Sequence, residues 1–129
     1  MPQQRKRDAD MAAVSRAMVA LHKEQFGRGP TRARSNYAGR DTLVCVLEEA
    51  LLPAETKMVE LGDANRVRES RVAYQAATQS DFITAIEQIV YRKVRSFGSA
   101  VDPRTGTVFE IFTFEPADSE DAVEVETTT

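Results

Sequence analysis

The sequence predicts an α+β domain with the order α-β-β-α-β-β, an antiparallel four-stranded sheet carrying its helices on one face. Three observations predict it. Met11, Val14, Met18 and Leu21 recur at spacings of three and four, the period of a helix with one apolar face. Residues 31–38 alternate at a period of two, and Val108–Glu115 (VFEIFTFE) forms the strongest strand pattern in the chain. The strand patterns come in two turn-linked pairs, each after a helical stretch, which gives hairpins rather than parallel crossovers.

The first helix is expected from Asp8, where an acidic residue suits the positive end of the helix dipole. His22 and Lys23 fall in its last turn, Gly27 fits the residue after the C-cap, and Pro30 prevents resumption. In the next strand Ala33, Ser35 and Tyr37 share one face, and Arg32, Arg34 and Asn36 the other. Ala38–Asp41 reads as a hairpin turn with Gly39 free to take positive φ. Leu43–Leu47 is continuously apolar, as a central strand requires. Pro53 fits the first turn of a short helix that Gly62 ends. Asp63 can cap a longer one, along which Val67, Arg71, Tyr74, Thr78, Phe82, Ile83, Ile86, Ile89 and Val90 trace a stripe. Thr78–Asp81 is a candidate bend. Alternation returns at Lys93–Ser99, and Asp102–Gly106 has the composition of a turn. Residues 1–7 read as a disordered basic arm, 8–116 as the domain, and 117–129 as a disordered acidic tail with five acidic residues and no basic one.

The totals set limits. The 129 residues suit one domain, and 42% hydrophobic residues with 7% aromatic and no Trp imply an aliphatic core. One cysteine, Cys45, and one histidine, His22, leave no disulfide and no ordinary zinc site. No apolar run reaches the roughly 18 residues of a membrane span, and MPQQRKRDAD has no apolar segment behind its charges. A cytoplasmic protein is expected. Residues 1–40 hold nine Lys/Arg against three Asp/Glu, whereas residues 41–129 hold eight against seventeen. The basic third is either one pole of a dipolar surface or a face for an anionic partner.

FGRGP at 26–30 invites comparison with a phosphate loop, but it follows a helix rather than opening one. The dipole then points its negative end at the loop, so the segment reads as a helix stop. Arg28, Arg32, Arg34 and Arg40 remain the candidate partner or anion contacts; the plainer role is a solubilising face that blunts a sheet edge. Arg66, Arg68 and Arg71 form a second basic cluster, read as a solvated helix face. Cys45 reads as a small core residue, His22 as a surface residue favoured by the dipole, and Glu110 as facing outward, since a buried carboxylate there would need a partner. No set of nucleophile, base and orienting group emerges and no metal set, so no catalytic residue, metal or cofactor is assigned and a non-enzymatic protein is expected.

GRGP at 27–30, VLEEALLPAE at 46–55, DFITAIEQIV at 81–90 and VRSFGSAVDPRTGTVFEIFTFEP at 94–116 resemble, in order and spacing, the MpsC-like family of small bacterial proteins. The resemblance spans about residues 8–116. Three positions depart from it: Leu52 stands where a Thr would cap the helix at Pro53, Tyr91 where a Gly ends the long helix, and Ala100 near an acidic turn position. The family's name links it to a sodium-translocating, membrane-potential-generating system. The resemblance therefore implies an accessory or regulatory protein of a membrane cation or inorganic-carbon uptake system, with no catalytic residues to transfer. The expected partners are a membrane transporter subunit, met at the inner face of the membrane without insertion, and a second copy of the chain, because the apolar final strand leaves surface to cover. The alternative is a small nucleic-acid-binding module using the basic first third, against which stand the pI of about 5.2 and the acidic tail.

Overall fold

A computed structural model describes residues 2–116. The elements run α1 (Pro2–Phe26), β1 (Arg32–Tyr37), β2 (Thr42–Glu48), α2 (Pro53–Glu60), α3 (Ala64–Val90), β3 (Val94–Asp102) and β4 (Thr107–Phe114). The sheet order is β1-β2-β4-β3, with every neighbouring pair antiparallel. The predicted class and order hold, and the short helix expected at Pro53 is α2, ahead of the long α3.

Three helix ends follow from local chemistry. Gly27 takes φ 78° and donates its N–H to the Lys23 carbonyl at 2.8 Å, the left-handed ending that glycine permits. A Cβ on Gly29 would lie 3.2 Å from the Val19 carbonyl oxygen, so the GRGP segment folds back tightly on α1 before Thr31 donates to Glu48 O at 3.1 Å. Leu52 offers α2 no side-chain cap, but Glu55 reaches back and accepts the Leu52 N–H at 2.8 Å, half of a capping box. At the far end of α3 no glycine is present, and Tyr91 itself adopts φ 56°, ψ 40° while its N–H reaches the Glu87 carbonyl.

One boundary differs from the expectation. Residues 2–7, expected as a disordered arm, are the first turns of α1. Pro2 is tolerated in a first turn, and two i,i+4 contacts extend the helix upstream of Asp8: Gln4 Nε2 to Asp8 Oδ1 at 2.9 Å and Lys6 Nζ to Asp10 Oδ2 at 3.0 Å. The acidic tail expected at 117–129 lies outside the described residues.

The core sits between one face of the sheet and the two long helices. Leu43, Cys45 and Leu47 of β2 and Val108, Phe112 and Phe114 of β4 meet Val14 and Met18 of α1 and Phe82, Ile86 and Val90 of α3. Side chains buried this fully contribute about 1.5–3 kcal/mol each for the larger apolar types. A stack of three rings ties α3 to the sheet: Phe82 to Phe97 at 5.6 Å and Phe97 to Phe112 at 4.7 Å. The opposite face carries Val44, Val46, Phe109 and Ile111, half-buried or exposed, with Arg34 and Asn36 beside them in register.

Candidate functional site

The four arginines singled out from the sequence do not converge. Arg32 and Arg34 do share the exposed face of β1, an edge strand, with Arg32 opposite Glu48 and Arg34 opposite Val46. Arg28 reaches the other way, its Nη1 lying 3.5 Å from the Leu51 carbonyl. Arg40 belongs to the β1–β2 turn, beside a surface hollow that Lys6, Arg7 and Arg92 also line. Arg92 ties that corner together: it donates to the Arg40 carbonyl at 2.6 Å, pairs with Asp41 and lies over the Phe114 ring at 4.7 Å.

The polar groups that do converge are on the buried side. In register, Ser35 of β1 faces Cys45 of β2, Cys45 faces Glu110 of β4, and Glu110 faces Ser99 of β3. A polar row thus crosses the inner face of an otherwise apolar sheet, and α1 lies over it. Ser15 Oγ meets Ser35 Oγ at 2.7 Å, and His22 Nε2 lies 3.0 Å from Glu110 Oε1. Both members of the second pair are buried, with side-chain exposures of 4% and 3%. His22 and Glu110 were expected at the surface. The structure corrects both: each supplies the partner that the other's burial demands. Burial pushes the Cys45 thiol up to about 11, against a lowering by its hydrogen bond with Ser35, and the nearby Glu110 charge adds to the rise.

Beyond Glu110 the interior opens into a cavity of about 230 Å³ between the C-terminal turn of α1, the N-terminal half of α3 and the inner face of β3–β4. Phe26, Phe82 and Phe97 form its apolar walls, and Val72 and Tyr74, 60% and 44% exposed, stand at its rim. Arg71 also lines it. This residue was read as part of a solvated helix face; instead its side chain is 9% exposed. It chelates Glu55 through Nε at 2.8 Å and Nη2 at 2.5 Å, donates to the Ala50 carbonyl at 2.9 Å and lies 3.9 Å over the Phe26 ring. Among the described residues four buried side-chain polar atoms have no hydrogen-bond partner: His22 Nδ1, Gln25 Nε2, Arg71 Nη1 and Glu110 Oε2. All four residues line this cavity.

Sequence spacing carried a signal for each buried polar residue. His22 continues the stripe of Val14 and Met18 by four, Arg71 continues Val67 by four, and Glu110 alternates with Val108 and Phe112. A polar residue in phase with an apolar period was the mark of the site.

Among the described residues no group of three His, Cys, Asp or Glu side chains is placed to hold a metal ion, and no helix is long and apolar enough to cross a membrane. No curated protein and no solved structure matches the chain. The family model described as "Na+-translocating membrane potential-generating system (MpsC)" matches residues 8–116, which runs from the second turn of α1 to just past the end of β4, and the chain belongs to that family.

Proposed function

We propose that this protein is a non-enzymatic accessory or regulatory component of a membrane-bound cation transport system. The family match over residues 8–116, with its description of a sodium-translocating system, carries the reading. With no described helix able to span a bilayer, the membrane would be reached through a partner subunit or a surface contact. The exposed Arg32 and Arg34 on the helix-free face suit an acidic partner surface. Arg28 and Arg40, turned to other corners, are secondary to that contact.

The test is cross-linked affinity purification of the tagged full chain from its own cells, followed by mass spectrometry. An integral subunit of a sodium- or other cation-transporting complex, lost in Arg32→Glu/Arg34→Glu, supports the reading. The same two exposed arginines also admit an RNA or DNA contact; nucleic acid that co-purifies at low salt and is released at high salt favours that alternative and removes the first. A second copy of the chain, expected from the apolar final strand, is tested by static light scattering on the same preparation, and a monomer at micromolar concentration overturns it.

A further inference from the structure

We propose that the cavity beneath the N-terminal half of α3 is a binding site for a small aromatic carboxylic acid bearing a hydroxyl or amino group. The proposal is independent of the membrane reading: the site exists whether or not the partner is a transporter.

Size comes first. An apolar cavity of about 150 Å³ is enough for benzene, so the 230 Å³ here admits one ring with two small substituents. Shape and lining come next. Phe26 and Tyr74 stand with ring centroids 4.8 Å apart, Phe82 and Phe97 stack at 5.6 Å, and all four line the space. Such walls favour a flat ring in offset or edge contact.

The unpartnered atoms then specify the substituents. Arg71 Nη1 and Gln25 Nε2 can only donate, and they call for an acceptor, which a carboxylate supplies best because hydrogen bonds from a guanidinium to it are charge-assisted. Arg71 is held for this role. Its Nε and Nη2 are engaged by Glu55 and Ala50, which fixes the guanidinium plane and leaves Nη1 without a partner on a residue that lines the cavity. Glu110 Oε2 is an acceptor without a donor, while its other oxygen is engaged by His22. It calls for a hydroxyl or amino hydrogen on the ligand. Arg68, also on the lining, adds positive charge toward the entrance. Leaving buried polar atoms unpaired is costly, because each has given up water without gaining a partner. A fold that leaves Arg71 Nη1, Gln25 Nε2 and Glu110 Oε2 unpaired on residues around one cavity, while satisfying His22 Nε2 and the rest of Arg71 beside it, is built for an occupant that supplies those three partners.

The experiment is an NMR titration of the isotope-labelled full chain with three probes: 4-hydroxybenzoate, benzoate and phenol. The acid-alcohol is expected to bind with a dissociation constant of about 0.1–1 mM, in line with the affinity of ligands of roughly ten heavy atoms. Its shifts should be confined to residues around His22, Arg71 and Glu110. Each single-group probe should bind about ten-fold more weakly, the 1.4 kcal/mol of one satisfied polar contact. Gln25→Leu removes one donor at a half-exposed position and should weaken 4-hydroxybenzoate and benzoate about ten-fold while leaving phenol unchanged. Arg71→Met should do the same, and circular dichroism shows whether losing the tie to Glu55 has cost the fold; if it has, Gln25→Leu alone decides. Acetate and inorganic phosphate are the controls. The proposal is overturned if 4-hydroxybenzoate shifts no resonances up to about 10 mM, ten times its weakest expected constant, which leaves water as the partner of those atoms. It is also overturned if phosphate competes equally, or if Gln25→Leu binds all three probes as the parent does.

Discussion

The two ends of α3 meet the same sheet in opposite ways. From Phe82 onward, three residues at spacings of four, Phe82, Ile86 and Val90, are buried, and the Phe82–Phe97–Phe112 stack locks the helix down. Before Phe82, only Val67 is buried along the helix, and the space beneath it holds a cavity, a chelated arginine and four unpartnered polar atoms. On the same helix and the same sheet, one half is a core and the other half lines a cavity. Interiors normally fill to near crystal density, so the open half marks where packing has been given up.

The largest expected effect comes from mutating the close-packed end. Ile86 is fully buried, and Ile86→Ala should cost about 4 kcal/mol, the loss of transfer energy plus the cavity left behind. Val72, 60% exposed on the rim, should give Val72→Ala a change within about 0.5 kcal/mol. Urea denaturation of both variants checks the contrast. Equal losses would mean that the two halves of α3 are packed alike, and the division drawn above would be wrong.

The next effect probes the polar row. Removing one member of a buried pair strands the other, so Glu110→Leu should destabilise by about 3 kcal/mol. Replacing both, His22→Leu with Glu110→Leu, should restore most of that loss, because two apolar side chains bury there with nothing left unpaired. A double variant as unstable as the single one would show that the pair does more for the fold than satisfy itself.

Much of this architecture was legible in the sequence, because it follows from local rules. Met11 to Leu21 set α1, the alternation of Ala33, Ser35 and Tyr37 set the inward face of β1, and Gly27, Pro30 and Gly62 set the breaks. The site was less legible, for a physical reason. His22 and Glu110 are 88 residues apart in sequence, and each looks wrong as a buried residue until the register supplies the other. Read singly, His22 suited the surface through the helix dipole and Glu110 through the cost of burying a carboxylate. Both arguments were sound for an isolated group and failed for a pair. Arg71 misled in the same way: it sat on the apolar stripe, yet charge alone suggested solvent, because Glu55 arrives from a different helix. The start of α1 was missed by one local consideration, since the contacts of Gln4 with Asp8 and Lys6 with Asp10 are themselves i,i+4 pairs visible in the sequence.

The same polar row makes a prediction in alkaline solution. Folded, the Cys45 thiol keeps its proton up to about 11, whereas the ordinary value is 9.0. The unfolded chain therefore sheds that proton first, the folded state binds more protons between those values, and stability falls as pH rises through the window. The shift corresponds to about 2–3 kcal/mol. Chemical denaturation at pH 8 and at pH 11 should show that loss in the parent, over and above whatever Cys45→Ala shows across the same interval. Parallel curves for the two proteins would mean that the thiol is not sealed beneath α1.

The smallest effect lies where the close-packed end of α3 stops. Tyr91 takes the left-handed conformation at φ 56° that most helices leave to glycine. The residue is 83% exposed, so its ring returns little through packing. A side chain in that region costs roughly 1–2 kcal/mol, and Tyr91→Gly relieves it while adding roughly 0.4–1 kcal/mol of unfolded-state entropy. A net gain of about 0.5–1 kcal/mol is expected, read as a small rise in urea midpoint without a change in slope. Glu49, exposed at φ 52° just after β2, is the matched control: it carries the same backbone strain away from α3, and Glu49→Gly should gain a similar amount. If Glu49→Gly stabilises and Tyr91→Gly does not, the Tyr91 side chain makes a compensating contact in solution that the single chain does not show, such as one with a second copy, and the end of α3 that looks like pure core would acquire a surface role of its own.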